Sequence, residues 1–86
     1  MSYSVILDSR VQKDLRSLEP SILKRLDAAI RKLGVNPRPA GSQKLQGRTR
    51  KGWRVRVGDY RILYQIHDDR REVIIYKIGH RNEVYR

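Results

Sequence analysis

The sequence predicts an α+β fold, in which two helices pack on one face of a twisted antiparallel sheet in the element order β-α-α-β-β-β. Three observations predict it. Apolar residues recur at helical spacing between residues 9 and 33, apolar and basic residues alternate through 53–66, and an apolar run rich in Val and Ile lies within 72–79. With 86 residues, of which 38% are hydrophobic, we expect one domain over residues 1–86 with one modest core.

The N-terminal half predicts a strand and a helical hairpin. Tyr3–Leu7 is typical of a strand. A first helix is predicted over Ser9–Leu18, because it opens on the S-x-x-Q spacing of a capping box and continues with one apolar stripe. A second helix is predicted over Pro20–Leu33, since proline suits a first helical turn and Gly34 stands where a C-terminal cap belongs.

A long irregular segment is predicted over residues 35–52, because two prolines and three glycines interrupt it. A loop of this length in a small domain is usually functional or disordered. Its basic residues are Arg38, Lys44, Arg48, Arg50 and Lys51.

A hairpin is predicted over residues 53–66, with a two-residue turn at Gly58-Asp59. That turn sets Arg56 directly opposite Arg61, and opposed residues share a face of the sheet. The face against the helices is then expected to hold Trp53, Val55, Val57, Tyr60, Ile62, Tyr64 and Ile66. The open face is expected to hold Arg54, Arg56 and Arg61.

Two like charges directly across a sheet are destabilising, which favours the interpretation of the open face as an anion site. The alternative is an exposed pair of arginines that splay apart in water.

A last strand is predicted over Glu72–Gly79, with Ile74, Tyr76 and Ile78 turned inward and Lys77 outward. The same alternation would put Arg81 on the arginine face. The opposite alternation, in which these residues exchange faces, remains open.

The charge of the chain indicates an anionic partner. Lys and Arg number 20 against 9 Asp and Glu, which gives a formal net charge of +11. Between Asp27 and Asp59 there are nine basic residues and no acidic one. Nucleic acid is the expected partner of such a footprint. The alternative is a basic surface that is merely solvated, although solvated surfaces usually mix signs.

The composition also excludes several classes of chemistry. The chain has no cysteine, so disulfides, a thiolate nucleophile and Cys-based zinc sites are excluded. The N-terminal residues lack the apolar run of a signal peptide, and no stretch is long and apolar enough for a membrane span. We therefore expect a soluble, cytoplasmic protein.

A cluster of arginines suits phosphate chemistry but lacks a base. Arginine is always charged and its rigid fork of donors matches phosphate. Such a cluster can stabilise the charge of a phosphodiester transition state, and an RNA 2′-OH could be the nucleophile without metal or cofactor. Tyr85 and His80 are candidates for the proton transfers. Tyr85 could instead stack on a base or fold back on the core, and His80 could be structural.

The whole arrangement resembles the RelE family of bacterial toxin–antitoxin ribonucleases, within the RelE/ParE superfamily. The resemblance covers nearly the whole chain, including the basic loop with Lys44-Leu45-Gln46-Gly47. Its most specific part is Tyr60-Arg61-Ile62-Leu63-Tyr64, followed by Gly79-His80-Arg81 and Glu83-Val84-Tyr85. The hairpin alone is similar to much of the superfamily.

The resemblance implies a microbial-RNase-like fold and cleavage of mRNA in the ribosomal A site by metal-independent 2′-OH attack. It implies a cognate antitoxin that neutralises the toxin, with operator DNA contacted only through that antitoxin. The catalytic residues it implies are Arg54, Arg56, Arg61, Arg81 and Tyr85. We expect further RNA contacts from Lys44, Arg48, Arg50, Lys51 and His80.

One departure bears on the mechanism. Well-studied members of the family have lysines at the positions of Arg54 and Arg56, and a lysine can be proposed as the base whereas an arginine cannot. Two alternatives to an endoribonuclease remain: a ParE-like toxin that inhibits DNA gyrase without enzymatic activity, and an inactive RNA- or ribosome-binding module.

Overall fold

The computed structural model describes residues 2–47 and 51–84. It confirms the predicted α+β class, with two helices against a five-stranded sheet, and adds one short strand within the segment predicted to be irregular. In chain order the elements are β1 (Ser4–Leu7), α1 (Ser9–Arg16), α2 (Pro20–Val35), β2 (Gln43–Lys44), β3 (Trp53–Val57), β4 (Tyr60–His67) and β5 (Glu72–His80).

The strands lie in the order β1-β5-β4-β3-β2, so β5 is central. The β3–β4 and β4–β5 pairs are antiparallel, as predicted, and the unpredicted strand β2 is antiparallel to β3. β1 pairs with β5 in parallel, from Ser4 opposite Glu72 to Leu7 opposite Ile75. The sheet is therefore mixed, and the prediction of an antiparallel sheet is wrong for β1. Tight turns specify antiparallel neighbours, whereas the helical hairpin leaves the direction of β1 open.

The N-terminus of α1 is capped by Asp8, not by the predicted capping box at Ser9. The Asp8 carboxylate accepts a hydrogen bond from the Arg10 backbone N–H at 2.8 Å. The Gln12 side chain donates instead to the Leu7 carbonyl at 3.0 Å. The Asp8 contact satisfies one of the backbone N–H groups that a helix start leaves without an intrahelical partner.

The second helix continues past the predicted cap, because Gly34 has a different role. Gly34 lies inside the last turn of α2, and the helix is capped by Asn36. The Tyr3 backbone N–H donates to the Gly34 carbonyl at 2.6 Å, and a Cβ on Gly34 would lie 3.2 Å from the Tyr3 carbonyl oxygen. The missing side chain therefore lets the chain entering β1 approach the helix.

The core lies between the helices and the inner face of the sheet. Burial of each large side chain there stabilises the fold by about 1.5–3 kcal/mol. Its buried members are Val11, Leu26, Ile30, Leu33, Ile62, Tyr64, Val73, Ile75 and Ile78. Tyr64 is fully buried, and its hydroxyl donates to the Pro37 carbonyl at 2.7 Å. Burial raises the pKa of this tyrosine.

A β-bulge changes the facing of the last strand. Leu63 lies opposite Lys77 but Tyr64 lies opposite Ile75, so Tyr76 is the extra residue. Val73, Ile75 and Ile78 therefore face the core, and the prediction that Ile74 and Tyr76 face inward is wrong. The extra residue reverses the alternation of inward and outward side chains between the two halves of the strand. The placement of Ile78 inward and Lys77 outward, beyond the bulge, is therefore confirmed.

A polar cluster joins the loop after α2 to the far end of the sheet. Arg38 binds the Asp68 carboxylate through two nitrogens, at 2.9 and 3.3 Å. The Tyr3 hydroxyl donates to the same carboxylate at 2.6 Å, and the Arg38 guanidinium lies 5.4 Å from the centroid of the Trp53 ring. Hydrogen bonds from Arg38 and then Tyr3 lower the pKa of Asp68 to about 2.

No helix within residues 2–47 and 51–84 is both long enough and apolar enough to cross a membrane.

Candidate nucleic-acid interface

The β3–β4 hairpin has the predicted register. Its turn at Gly58-Asp59 places Val57 opposite Tyr60 and Arg56 opposite Arg61. Gly58 has a φ of 60°, a left-handed conformation that glycine adopts without steric cost. The register of this hairpin is therefore the one that a tight Gly-Asp turn specifies.

Three arginines share the face of the hairpin that points away from the helices. The alternate residues of β3 and β4, among them Trp53 and Tyr60, pack on the core. Arg54, Arg56 and Arg61 therefore project from the other face. Arg56 is exposed, whereas Arg54 and Arg61 are half-buried.

Two of these guanidinium groups are held by neighbouring groups. Arg54 donates to the side-chain oxygen of Gln43, which lies opposite it on β2. Nη1 of Arg61 donates to the carbonyl oxygens of Gly58 and Tyr60, at 3.1 and 3.0 Å. The sequence indicated neither contact. The partner of Arg54 lies in a segment predicted to be irregular, and the partners of Arg61 are backbone carbonyls.

Arg81 is brought to the same end of the sheet by the backbone. Its N–H donates to the Asp59 carbonyl at 2.8 Å, beside the hairpin turn. The chain then turns, and the Val84 N–H donates to the His80 carbonyl at 3.0 Å. Val84 is buried and lies against Gly79, the residue opposite Arg61. Tyr85 itself lies outside the described residues.

His80 belongs to the helix-covered side of the sheet. It lies opposite Tyr60, and the two rings meet edge to face with centroids 5.8 Å apart. Its Nδ1 atom accepts a hydrogen bond from the Asn82 backbone N–H at 3.3 Å. The structure therefore does not bring His80 onto the face of Arg56 and Arg61.

The predicted RNA contacts from the loop are more dispersed. Lys44 is exposed on β2 and lies opposite Trp53, so it shares the face of that ring and not the arginine face. Lys51 is exposed, and its carbonyl accepts a hydrogen bond from the Tyr76 hydroxyl at 2.9 Å. Arg48 and Arg50 lie outside the described residues.

The arginine face has a local excess of positive charge. Within the described part of the chain, the ion pairs are Arg31–Asp27, Arg38–Asp68 and Arg70–Glu72. None of these pairs includes Arg56, Arg61 or Arg81. Guanidinium groups placed in this way suit a phosphodiester and the charge that develops on it during cleavage, but they cannot accept a proton.

Comparisons with known proteins place the chain in a family. Residues 5–85 match the family model described as ParE toxin of type II toxin-antitoxin system, parDE. RelE1 of Methanocaldococcus jannaschii is 38% identical, with 100% of this chain and 98% of that protein covered. Toxin RelG of Mycobacterium tuberculosis is 32% identical, with 100% of this chain and 99% of that protein covered.

The fold agrees with this relationship. The RelE chain in the crystal structure of the archaeal RelE–RelB complex from Pyrococcus horikoshii superposes with a TM-score of 0.83. The two chains are 28% identical, and the match covers 98% of this chain and 100% of that one. The family model, the relatives and the fold agree, and the chain belongs to the RelE family of type II toxin–antitoxin toxins, within the RelE/ParE superfamily.

Proposed function

We propose that this toxin is a ribosome-dependent endoribonuclease that cleaves mRNA in the ribosomal A site. The observation that favours it most is the pairing of Arg56 with Arg61 on an open sheet face, with Arg81 fixed beside the same turn. Three always-charged groups at one end of a sheet match a phosphodiester better than they match a protein surface of mixed charge.

The reaction would be an internal transfer within the RNA. The 2′-oxygen attacks the adjacent phosphorus, the P–O5′ bond breaks, and the products are a 2′,3′-cyclic phosphate and a 5′-hydroxyl. The 2′-OH loses a proton, and the leaving O5′ gains one. In this proposal Arg61 and Arg81 hold the scissile phosphate, while Arg54 and Arg56 stabilise the charge of the transition state.

The proton transfers need a group other than arginine. Tyr85 is the proposed group, with base stacking as its alternative role, because Val84 holds the chain against Gly79 immediately before it. His80 lies on the opposite face of the sheet in this structure, so its participation would require a rearrangement. If neither residue contributes, catalysis depends mainly on positioning by the ribosome.

We also propose a cognate antitoxin as the protein partner. The relative from Pyrococcus horikoshii was crystallised with RelB. A chain with a net charge of +11 suits an acidic partner that covers the arginine face and prevents RNA from binding.

We propose additional contacts to RNA from the basic residues Lys44, Lys51, Arg48 and Arg50.

Mapping of mRNA ends in cells that express the toxin tests the activity. Two reporter transcripts would be compared, one with its start codon and one in which that codon is removed. Cuts that appear only in the translated transcript, and that end in a 2′,3′-cyclic phosphate, are expected. Equal cutting of the untranslated transcript would contradict dependence on the ribosome, and intact transcripts in growth-arrested cells would contradict the activity itself.

The second candidate is a ParE-like toxin that inhibits DNA gyrase without enzymatic activity. The name of the matching family model favours it, whereas the arginine pair and the names of the relatives favour RNA. A supercoiling assay beside a translation assay distinguishes the two. An inactive RNA-binding module is the third candidate, and Tyr85→Phe should then leave both RNA affinity and growth arrest unchanged.

A further inference from the structure

An arginine outside the proposed site also reaches the β3–β4 turn. Arg25 lies on α2, next to the fully buried core residue Leu26, and its own side chain is exposed. A Cβ atom placed on Gly58 would lie 2.9 Å from Nη2 of Arg25 and 3.2 Å from Nη1. The guanidinium group thus lies directly against the glycine of the turn.

Two guanidinium groups therefore meet at one residue. Arg25 lies over the Cα of Gly58, and Arg61 donates to the carbonyl oxygen of the same glycine at 3.1 Å. The backbone of Arg81 is held one residue further on, at the Asp59 carbonyl. The turn thus gathers arginines from α2, from β4 and from the segment after β5.

Within the described residues, no ion pair neutralises these two guanidinium groups. Within residues 2–47 and 51–84, neither Arg25 nor Arg61 forms an ion pair, although Asp59 lies in the same turn. Arg25 and Asp59 both line a small pocket between α2 and the turn, yet their charged groups remain more than 4 Å apart. Like charges held close together favour the binding of an anion.

We propose that Arg25 forms a second phosphate subsite at this turn. It would bind a phosphodiester that neighbours the one held by Arg61 and Arg81, on the same RNA strand. This inference rests on the proposed function. Single-stranded RNA presents phosphates at regular intervals, and a groove of positive charge that follows its backbone is the usual means of holding it. Arg25 would then be an RNA-positioning residue supplied by a helix and not by the sheet.

The glycine of the turn fits this arrangement. With hydrogen in place of a side chain, Gly58 lets the Arg25 guanidinium approach the backbone, and its φ of 60° suits glycine. A purely structural role for Arg25, as a cover over the turn, predicts that its loss lowers stability. A phosphate subsite predicts instead that loss of Arg25 weakens the binding of an RNA with several phosphates but not of an RNA with a single phosphate.

Two 2′-O-methyl oligonucleotides, which cannot be cleaved, serve as probes of the full-length toxin: a dinucleotide with a single phosphodiester and a pentanucleotide. Arg25→Ala should weaken the pentanucleotide about tenfold and leave the dinucleotide unchanged. The slope of log affinity against log salt for the pentanucleotide should fall by about 0.7, as expected for one lost phosphate contact on a single strand. Arg25→Lys should restore most of the affinity and the slope.

Arg31→Ala is the matched control, because Arg31 is an exposed arginine on the same helix that pairs with Asp27. It should leave both affinities unchanged. Arg25→Gln, which keeps most of the aliphatic stem, replaces Arg25→Ala if the melting temperature of the latter falls. The inference is overturned if Arg25→Ala behaves like Arg31→Ala, or if it weakens both oligonucleotides equally. A wild-type toxin that binds neither oligonucleotide would also overturn the inference, whereas the proposed function, which depends on the ribosome, is tested separately by the mapping of mRNA ends.

Discussion

Arg56 and Arg61 lie directly opposite each other on β3 and β4, with their side chains on the face that the helices do not cover. Opposed residues of an antiparallel pair have Cβ atoms about 4.5–5.5 Å apart, and like charges placed directly opposite each other are destabilising. The fold retains this repulsion where a neutral pair would be more stable. If this pair binds the anion of the proposed site, the same repulsion links the stability of the toxin to its affinity for RNA.

Removal of one charge from this pair should stabilise the free toxin. We expect Arg56→Gln to raise the free energy of unfolding by about 0.2–1 kcal/mol at low salt, because a directly opposed like-charge pair is lost. The gain should shrink as salt screens the charges. Chemical denaturation of wild type and variant at two salt concentrations measures it, with Arg31→Gln as control. A stability gain without loss of RNA affinity would separate this pair from the proposed site.

Arg61 and Arg81 should be required for toxicity. Removal of one donor that stabilises a developing negative charge costs about 100-fold or more in rate. We therefore expect Arg61→Ala and Arg81→Ala each to relieve growth arrest on expression. Arg70→Ala, which removes an exposed arginine paired with Glu72, should remain toxic. Full toxicity of both site variants, at expression levels equal to wild type, would show that the proposed site is misplaced.

The acid limit of stability should depend on Asp68. Its pKa is lowered to about 2, so the folded state favours the charged form more than the unfolded chain does. The resulting stability is present above the ordinary carboxyl pKa, which is near 3.9. This contribution to stability is lost as the pH falls from near 3.9 through about 2. Asp68→Asn should flatten the decline of melting temperature across that window, whereas Asp69→Asn should retain it.

The buried hydroxyl of Tyr64 should stabilise the loop that follows α2. Tyr64→Phe removes its hydrogen bond to the Pro37 carbonyl, at a cost of about 1–3 kcal/mol if that carbonyl finds no other partner. Urea denaturation should show a lower midpoint with an unchanged slope. Tyr76→Phe, whose hydroxyl donates to a carbonyl nearer the surface, should cost less. A larger effect at Tyr76 would contradict this ranking.

The accuracy of prediction from sequence differed among the elements for physical reasons. The β3–β4 register was predicted because a two-residue turn leaves few alternatives. The facing of β5 was only half predicted, because the bulge at Tyr76 inserts one residue that no local pattern announces. The direction of β1 was predicted wrongly, because an antiparallel sheet was expected whereas β1 pairs with β5 in parallel. This pairing joins distant parts of the chain, so no local pattern specifies its direction.

The candidate site was predicted in a similarly uneven way. Alternation along β3 and β4 was sufficient to group Arg54, Arg56 and Arg61 on one face. The support of Arg54 by Gln43 and the approach of Arg25 to Gly58 were missed, because both are contacts between separate elements. Residue spacing along the sequence does not predict contacts between side chains of separate elements. Such residues can be identified only when the packing of the elements is known.

The central position of β5 has a consequence for the order of folding. β5 pairs with β4 on one side and with β1 on the other, so the first strand to be synthesised must wait for the last. Contacts between distant parts of a chain form slowly, because loop closure costs entropy before the contact is made. During its own translation, the nascent toxin therefore cannot complete the sheet, or bring Arg81 to the hairpin turn, until nearly all of the chain has emerged. That delay would separate synthesis of the toxin from its action and leave an interval in which a partner can bind it.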